Sequence, residues 1–406
     1  MINSIFLLLG GNLLNYGIAK KFSDLGYLVY VVDWNENPQI KGDKHYQIDV
    51  KDSNKIISTL KQNHELENVV LAYSSIDLAV QSVAKINQAI GLKTITQEGL
   101  NYASSKSMMT NKWEEDGLLN RISKRYVQFE LEILSFNSNY KTIIKPDNSA
   151  SSRGITILEQ NSAKDEIIKA FSKAQNEASN GIVVVEEFVE GTEFTAEMIG
   201  DIYGNVCVYG ISQKEHTENT INNKIAVKLH YNSNSLNIQN LIADFAIKCY
   251  KSLGFSASLG HLELILKNDG SISPVEIGAR SSGFIASDLV DIVSGSNFLN
   301  DLLKVQRGMP VTNGLHPQTT KSSLYFFYDF PKGCVIKKKF SFIDYLESSI
   351  VSRYSNRENL YVGHKFDNIN NDNERVGFEI LEGSKSIMTH DYIKNQEKYM
   401  LLDVME

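Results

Sequence analysis

An N-terminal parallel α/β domain followed by α+β segments is the fold class that this chain of 406 residues predicts, and three observations carry it. Apolar strands alternate with amphipathic helices over about the first 95 residues, the pattern of a small parallel sheet flanked by helices. Beyond residue 100 the strands become short and polar loops intervene. Around Asp269-Gly270, two alternating runs meet at a pair of residues that favours a tight β-hairpin turn.

The first unit opens with the apolar run 5–9, turns at Gly10-Gly11, continues as a helix over 13–25 stopped by Gly26, and returns as a strand over 27–32 ending at Asp33. A strand over 68–74 and a helix over 76–90 closed by Gly91 repeat the pattern. Gly10, Gly11 and Gly17 miss the Gly-x-Gly-x-x-Gly spacing, so this turn reads as structural, or as touching an organic substrate, rather than as a nicotinamide site. A helix over 105–115 follows, opened by Ser104 or Ser105. Then come a strand over 142–145 stopped by Pro146, a small-polar loop over 147–154, and a strand over 155–158. Ser162 to Asp165 reads as a capping box for a helix reaching about Glu177. The strongly apolar strand 182–187 ends in two acids, strands over 193–199, 206–211 and 225–231 suggest antiparallel ribbon, and a helix over 240–253 stops at Gly254. After the hairpin, helices run from about 284 to 293 and from 298 to 305. The last stretch, from an aromatic strand at 323–330 onward, reads as a separate small α+β unit or as an extension covering a site. Asparagine clusters at 219–223 and 367–373 read as exposed loops without chemistry.

Bulk properties exclude several classes. Length alone predicts two or three domains, and 42% hydrophobic with 22% charged residues is ordinary for a globular chain. A net charge of −7 argues against a nucleic-acid partner, which would need clustered Lys and Arg. Cys207, Cys249 and Cys334 are scattered without metal-type spacing, which suits a reducing cytosol, so a cytoplasmic location is expected. Residues 5–9 are too short and lack the basic flank of a signal peptide, and no stretch approaches a membrane span.

The hairpin carries the chemistry. If Asp269-Gly270 forms a two-residue loop, Glu263 falls directly opposite Glu276, with Cβ atoms roughly 4.5–5.5 Å apart. Like charges at that distance repel unless a cation lies between them, and Mg²⁺ favours one or two carboxylates together with phosphate oxygens. Arg280 adds a planar cation suited to a transferred phosphoryl group. Lys106 lies at the start of its helix, where backbone N–H groups already favour anions. Lys145 precedes a loop whose small side chains would let backbone amides approach a polyphosphate. His261 shares the face of Glu263, and His230 ends another strand; either could contact substrate, with Lys214 a weaker candidate for reaching phosphate from its loop.

In this order, from about Ser105 to Ser282, the pieces resemble the ATP-grasp family: a lysine in a Ser-Lys helix, Ile143-Ile144-Lys145-Pro146 before a small-residue loop, Glu186-Glu187-Phe188-Val189-Glu190-Gly191-Thr192-Glu193, and paired acids ending in Glu276-Ile277-Gly278-Ala279-Arg280. The last motif looks most like the L-amino-acid ligase branch of the carboxylate–amine ligases. The resemblance implies an N-terminal βαβ domain over 1–97, an ATP-grasp domain over 98–306 with a lid at about 141–190, and a C-terminal α+β subdomain over 307–406. It also implies roles. Lys106 and Lys145 would hold ATP phosphates beneath a mobile loop containing Ser149, Ser151, Ser152 and Gly154. Glu186, with backbone groups of Glu187, Phe188 and Val189, would read the adenine, and Glu193 the ribose. Glu263 and Glu276 would ligate Mg²⁺, one or two ions with Mn²⁺ as a substitute, and Arg280 would act in catalysis, with His261 a candidate proton acceptor. Many members have Asn where this chain has Gly278, which removes one metal oxygen and leaves space that could admit part of the acyl group.

The implied reaction is ADP-forming ligation: ATP phosphorylates a small-molecule carboxylate, and an amine displaces phosphate from the acylphosphate. Alternatives on the same scaffold are a carboxylase or formylating enzyme acting on a one-carbon acid, and a nucleotide-binding protein without turnover. Oligomeric state stays open, with a homodimer through the first or last domain as the reading carried forward.

Overall fold

The computed structural model describes residues 4–12, 15–119, 124–128, 140–149, 152–282 and 286–405. Among these residues three sheets form.

The first contains β1 (Ile5–Leu9), β2 (Leu28–Asp33), β3 (Lys44–Gln47) and β4 (Val69–Tyr73), all parallel in the order β3-β2-β1-β4. All five residues of β1 are buried, as an apolar run covered on both faces requires. Helix Tyr16–Asp24 covers one face, with the Phe6 and Phe22 rings stacked 3.7 Å apart, and helix Val80–Ala89 packs on β4. The Gly10-Gly11 turn is structural: Gly10 has φ +100°, and the Gly11 N–H donates to the Asp33 carboxylate at 2.7 Å. The acid that a dinucleotide site would turn toward a ribose is used to close the turn.

The second sheet is antiparallel and small, ordered β5-β8-β6-β7 from β5 (Lys124–Val127), β6 (Thr142–Pro146), β7 (Thr156–Leu158) and β8 (Val183–Glu187). Helix Lys164–Glu177 buries Ile167, Ala170, Phe171 and Ala174 against it. Its cap falls one residue later than Ser162: the Glu166 carboxylate accepts the Ala163 N–H at 3.1 Å, and alanine has no side-chain oxygen to complete a box.

The third sheet dominates the molecule. It contains β9 (Thr192–Gly200), β10 (Val206–His216), β11 (Ala226–Tyr231), β12 (Ser258–Leu266), β13 (Ile272–Gly278), β14 (Gly314–Leu315), β15 (Lys321–Phe327), β16 (Val351–Asn356) and β17 (Phe378–Ser384). The order is β13-β12-β9-β10-β11-β15-β17-β16, with β14 beside β10. Helix Leu236–Ser252 lies on one face, and the Trp113 indole N–H donates to the Cys249 carbonyl at 3.1 Å, tying helix Lys106–Glu115 to it. Trp113 is fully buried, and burial of so large a ring stabilises the junction by about 2–3 kcal/mol. The C-terminal aromatic strand therefore extends the central sheet: β15 pairs with β11 on one side and β17 on the other. On its far face Phe326, Tyr328, Phe330 and Phe342 form an aromatic core with helix His390–Val404.

The hairpin reaches the expected register by an unexpected route. Lys267 and Ser271 pair across a three-residue loop, with Gly270 at φ +83°, so the turn is one residue longer than a two-residue loop. Alone, that would move Glu276 off the position facing Glu263. A bulge compensates: Leu264 faces Pro274, Glu263 faces Glu276, and Val275 is the extra residue.

Candidate functional site

A cavity of about 470 Å³ runs along the central sheet beneath the small antiparallel sheet. Its lining includes Lys106, Lys145, Ser149, Ser152, Glu186, Glu187, Phe188, Val189, Glu193, His261, Glu263, Glu276 and Arg280. Ser151 lies outside the described residues. Gly154 packs beside Pro146 and Glu177 at φ +73°.

Each carboxylate of the hairpin meets a lysine. Glu276 pairs with Lys106 at 2.8 Å, and Glu263 with Lys214 at 2.7 Å. Lys214 is a member of β10 rather than of a loop, and its ammonium also reaches Glu193 at 2.7 Å, which in turn accepts His216 Nε2 at 2.9 Å. Burial disfavours the charged forms, but the opposite charges prevail: Glu263 and Glu193 are held below the usual carboxylate range, and Lys106 and Lys214 are raised. Two facing carboxylates in a cavity, each paired with an ammonium group, fit a divalent cation, to which the lysines would yield while turning toward phosphate.

His261 is fixed on both sides. Its register partner on β9 is Glu197, fully buried, whose carboxylate lies 2.6 Å from Nδ1, while Nε2 is 3.4 Å from Glu263. Burial pushes the imidazole down, but Glu197 and Glu263 outweigh it and lift its pKa to about 9. Glu197 also accepts the Ser282 N–H at 3.2 Å, fastening the segment just after Arg280.

Arg280 is held by the N-terminal domain. Its Nε and Nη2 donate to the two oxygens of Asp77 at 2.6 and 2.7 Å, and Nη1 donates to the Ser281 carbonyl at 2.9 Å. A Cβ at Gly278 would lie 3.3 Å from Arg280 Cγ and 3.5 Å from Asp77 Oδ1. The space expected for an acyl group beside Gly278 is thus taken by the arginine and its partner, and the glycine lets the two approach.

At the other lysine, Lys145 and Glu186 pair at 2.9 Å across β6 and β8, both almost fully buried. The N terminus of helix Lys106–Glu115 is already capped. Asp147 Oδ1 accepts the Ser107 N–H at 2.6 Å, and the Asp147 carbonyl accepts that of Lys106 at 3.1 Å. The amides expected to welcome phosphate are therefore satisfied by a carboxylate, and the Lys106 side chain is what faces the cavity. Phe188 donates its N–H to the Lys141 carbonyl at 2.8 Å.

The asparagine clusters are only partly solvated. Asn219 and Asn223 are buried; Asn223 Nδ2 donates to the carbonyls of Ser152 and Asn370, and the Asn222 carbonyl accepts the Ile157 N–H. They join the small sheet to the 367–375 loop, bringing Asp372 and Arg375 into the cavity wall. His230 faces the other way, against His390, and burial lowers its pKa to about 3.

Residues 138–288 match the family model described as an ATP-grasp domain. No curated protein matches the chain by sequence. Among solved structures, an L-amino acid ligase from Bacillus licheniformis superposes with a TM-score of 0.75 at 17% identity, covering 99% of this chain and 98% of that one. Phosphoribosylglycinamide synthetase from Anaerococcus prevotii gives 0.62 at 17% identity, covering 100% and 99%. The biotin carboxylase domain of Hydrogenobacter thermophilus 2-oxoglutarate carboxylase, solved with MgADP, gives 0.66 at 13% identity, covering 92% and 85%. Such identities speak for the fold alone: the chain has the fold of these enzymes, and its residues 138–288 match an ATP-grasp domain.

Proposed function

We propose that the chain is an ADP-forming carboxylate–amine ligase that uses ATP and Mg²⁺ and acts through an acylphosphate. The observation that carries the proposal is the convergence of the Glu263–Glu276 pair with Lys106, Lys145, Lys214 and Arg280 on one cavity. Four cations and two facing acids suit a polyphosphate and its counter-ion, and their separate supports hold them before any ligand arrives.

Glu263 and Glu276 would hold Mg²⁺, with Mn²⁺ able to replace it, and the ion would neutralise phosphate oxygens when bound. The residues do the rest. Lys145, paired with Glu186, stands where the nucleotide enters, with Glu187, Phe188 and Val189 beside it and Glu193 toward the ribose. Lys106 and Lys214 exchange their glutamate partners for phosphate oxygens. Arg280, aimed by Asp77, faces the charge that builds as the substrate carboxylate attacks the γ-phosphate. Ser149 and Ser152, which line the cavity, would help exclude water from the acylphosphate. His261, held by Glu197 on one side and facing Glu263 on the other, would position Glu263 and stays the candidate acceptor of the amine's proton.

A coupled assay of ADP release, screening carboxylates against pooled amines, tests the reading. Turnover that needs both substrates supports it; release stimulated by bicarbonate or formate without an amine would favour one-carbon activation instead. The relation to carboxylases such as the biotin carboxylase domain above makes that second outcome worth measuring. A homodimer belongs to the same proposal and is read by light scattering.

A further inference from the structure

We propose that Asn223 clips the small antiparallel sheet to the loop before β17, and that this clip sets how much of the activated acyl group is lost to water. Asn223 is a positioning residue in this account. The inference rests on the ligase reading above and adds what controls its coupling.

The two asparagine-rich segments meet at Ser152. Asn223 is 6% exposed, in the loop between β10 and β11. Its Nδ2 donates to the Ser152 carbonyl at 3.4 Å and to the Asn370 carbonyl at 3.1 Å, while its Oδ1 accepts the Lys224 N–H at 2.7 Å. Two further bonds run alongside. Ser152 Oγ donates to Asp372 Oδ1 at 3.4 Å, and Ile157, on the edge strand β7, donates its N–H to the Asn222 carbonyl at 2.7 Å. Ser152 and Asn222 both have left-handed backbone, at φ +57° and +54°. A serine rarely holds that conformation unless its neighbours fix it.

The far side of the clip is anchored on the central sheet. Asn219 Nδ2 donates to Asp329 Oδ1 at 3.0 Å, its Oδ1 accepts the Lys332 N–H at 2.9 Å, and its carbonyl accepts the Ile369 N–H at 2.7 Å. Arg375 lies over the Phe327 ring at 4.0 Å from the centroid and donates to the Ala226 and Asp372 carbonyls at 2.8 and 2.9 Å, stapling the same loop to β11 and β15.

The hold at Ser149 is of a different kind. Lys106 Nζ donates to the Ser149 carbonyl at 2.8 Å while pairing with Glu276. A polyphosphate competes for that ammonium far better than for a neutral amide bonded to carbonyls. When Lys106 turns to phosphate, the hold at Ser149 is released, and the asparagine clip keeps Ser152 in the cavity wall. Water that entered would form a bond to the acyl carbon, break the acyl C–O bond to phosphate and give its proton to solvent. The carboxylate returns unchanged, and ADP accumulates without amide.

The test counts ADP and amide in the same reaction for wild type and Asn223→Asp, which keeps the oxygen for Lys224 but loses both donors. Wild type should give roughly one ADP per amide, and the variant roughly five at low amine, falling toward one as amine rises, because amine and water compete for one intermediate. Asn223→Ala carries the same expectation should the buried carboxylate unfold the loop, and Asn223→Gln, which keeps the amide, should recover part of the coupling. Hydrogen exchange of residues 152–158 with Mg²⁺ and ADP is the second arm, expected to be roughly tenfold faster in Asn223→Asp at an unchanged thermal midpoint. Wild-type coupling in both Asn223→Asp and Asn223→Ala, or unchanged exchange at 152–158, would overturn the inference. If wild type forms no amide with any pair of substrates, the ligase reading fails, and the exchange arm still decides the clip.

Discussion

The two ends of the cavity are built by opposite rules. At the acid end, on β9, β10, β12 and β13, every charge named has an opposite partner within 3 Å: Lys106 with Glu276, Lys214 with Glu193 and Glu263, Arg280 with Asp77. At the aromatic end, on β15, β17 and the loop before β17, a single arginine is steadied by a ring and two carbonyls. A site proposed to move phosphate would have to store charge in the absence of ligand, and paired lysines do so without an unpaired buried ion. A site that selects an organic group needs shape first and one point of charge.

The strongest way to break this contrast is Glu276→Ala. Turnover should fall at least a thousandfold while the thermal midpoint stays within a few degrees, because Glu276 is partly exposed and its strand is held by β12. Near-normal ADP release would remove the acid end from the mechanism. Lys145→Met comes next: it leaves Glu186 buried without its ammonium, and urea unfolding should show a loss of about 3–5 kcal/mol, largely recovered when Glu186→Leu is added. If the single variant is as stable as wild type, the pair contributes nothing to the nucleotide-facing wall.

His230 sharpens the comparison through pH. Buried with a pKa of about 3, it binds fewer protons folded than unfolded between pH 3 and about 6.5, so stability falls as pH drops through that window. The slope it supplies is about 1.4 kcal/mol per pH unit, and His230→Phe should flatten the acid limb of the stability curve accordingly. An unchanged limb would assign the acid sensitivity elsewhere. The smallest effect is expected from Asp77→Asn, which keeps the contact but weakens its charge: kcat should fall about tenfold with KM for ATP unchanged, as for an arginine that acts on developing charge. A change in KM alone would make Asp77 part of substrate binding.

Much of the acid end was legible because its parts are local. The facing of Glu263 and Glu276 follows from one hairpin, although it was reached through a longer loop and a bulge that offset each other. Lys106 and Lys145 followed from a cap and a strand end. What stayed hidden was supplied across the chain. Asp77 meets Arg280 from 203 positions away, Glu197 reaches His261 across a strand pair, and Asp147 fills a helix terminus that looked open to phosphate. Lys214 reads as part of a loop because the expected strand stops at 211, whereas β10 continues to His216. The aromatic end was least legible: Arg375 sits in an asparagine-rich stretch that looks like solvated loop, and only the pairing of β15 with β11 brings it to the cavity.

Nucleotide binding measured against magnesium tests the central claim most directly. Calorimetric titration with ADP should give at least tenfold tighter binding in Mg²⁺ than in EDTA for wild type, and a Glu263→Gln/Glu276→Gln variant should bind equally in both. If the double variant keeps the full magnesium dependence, the two facing glutamates are not the metal site and the account of the acid end is wrong.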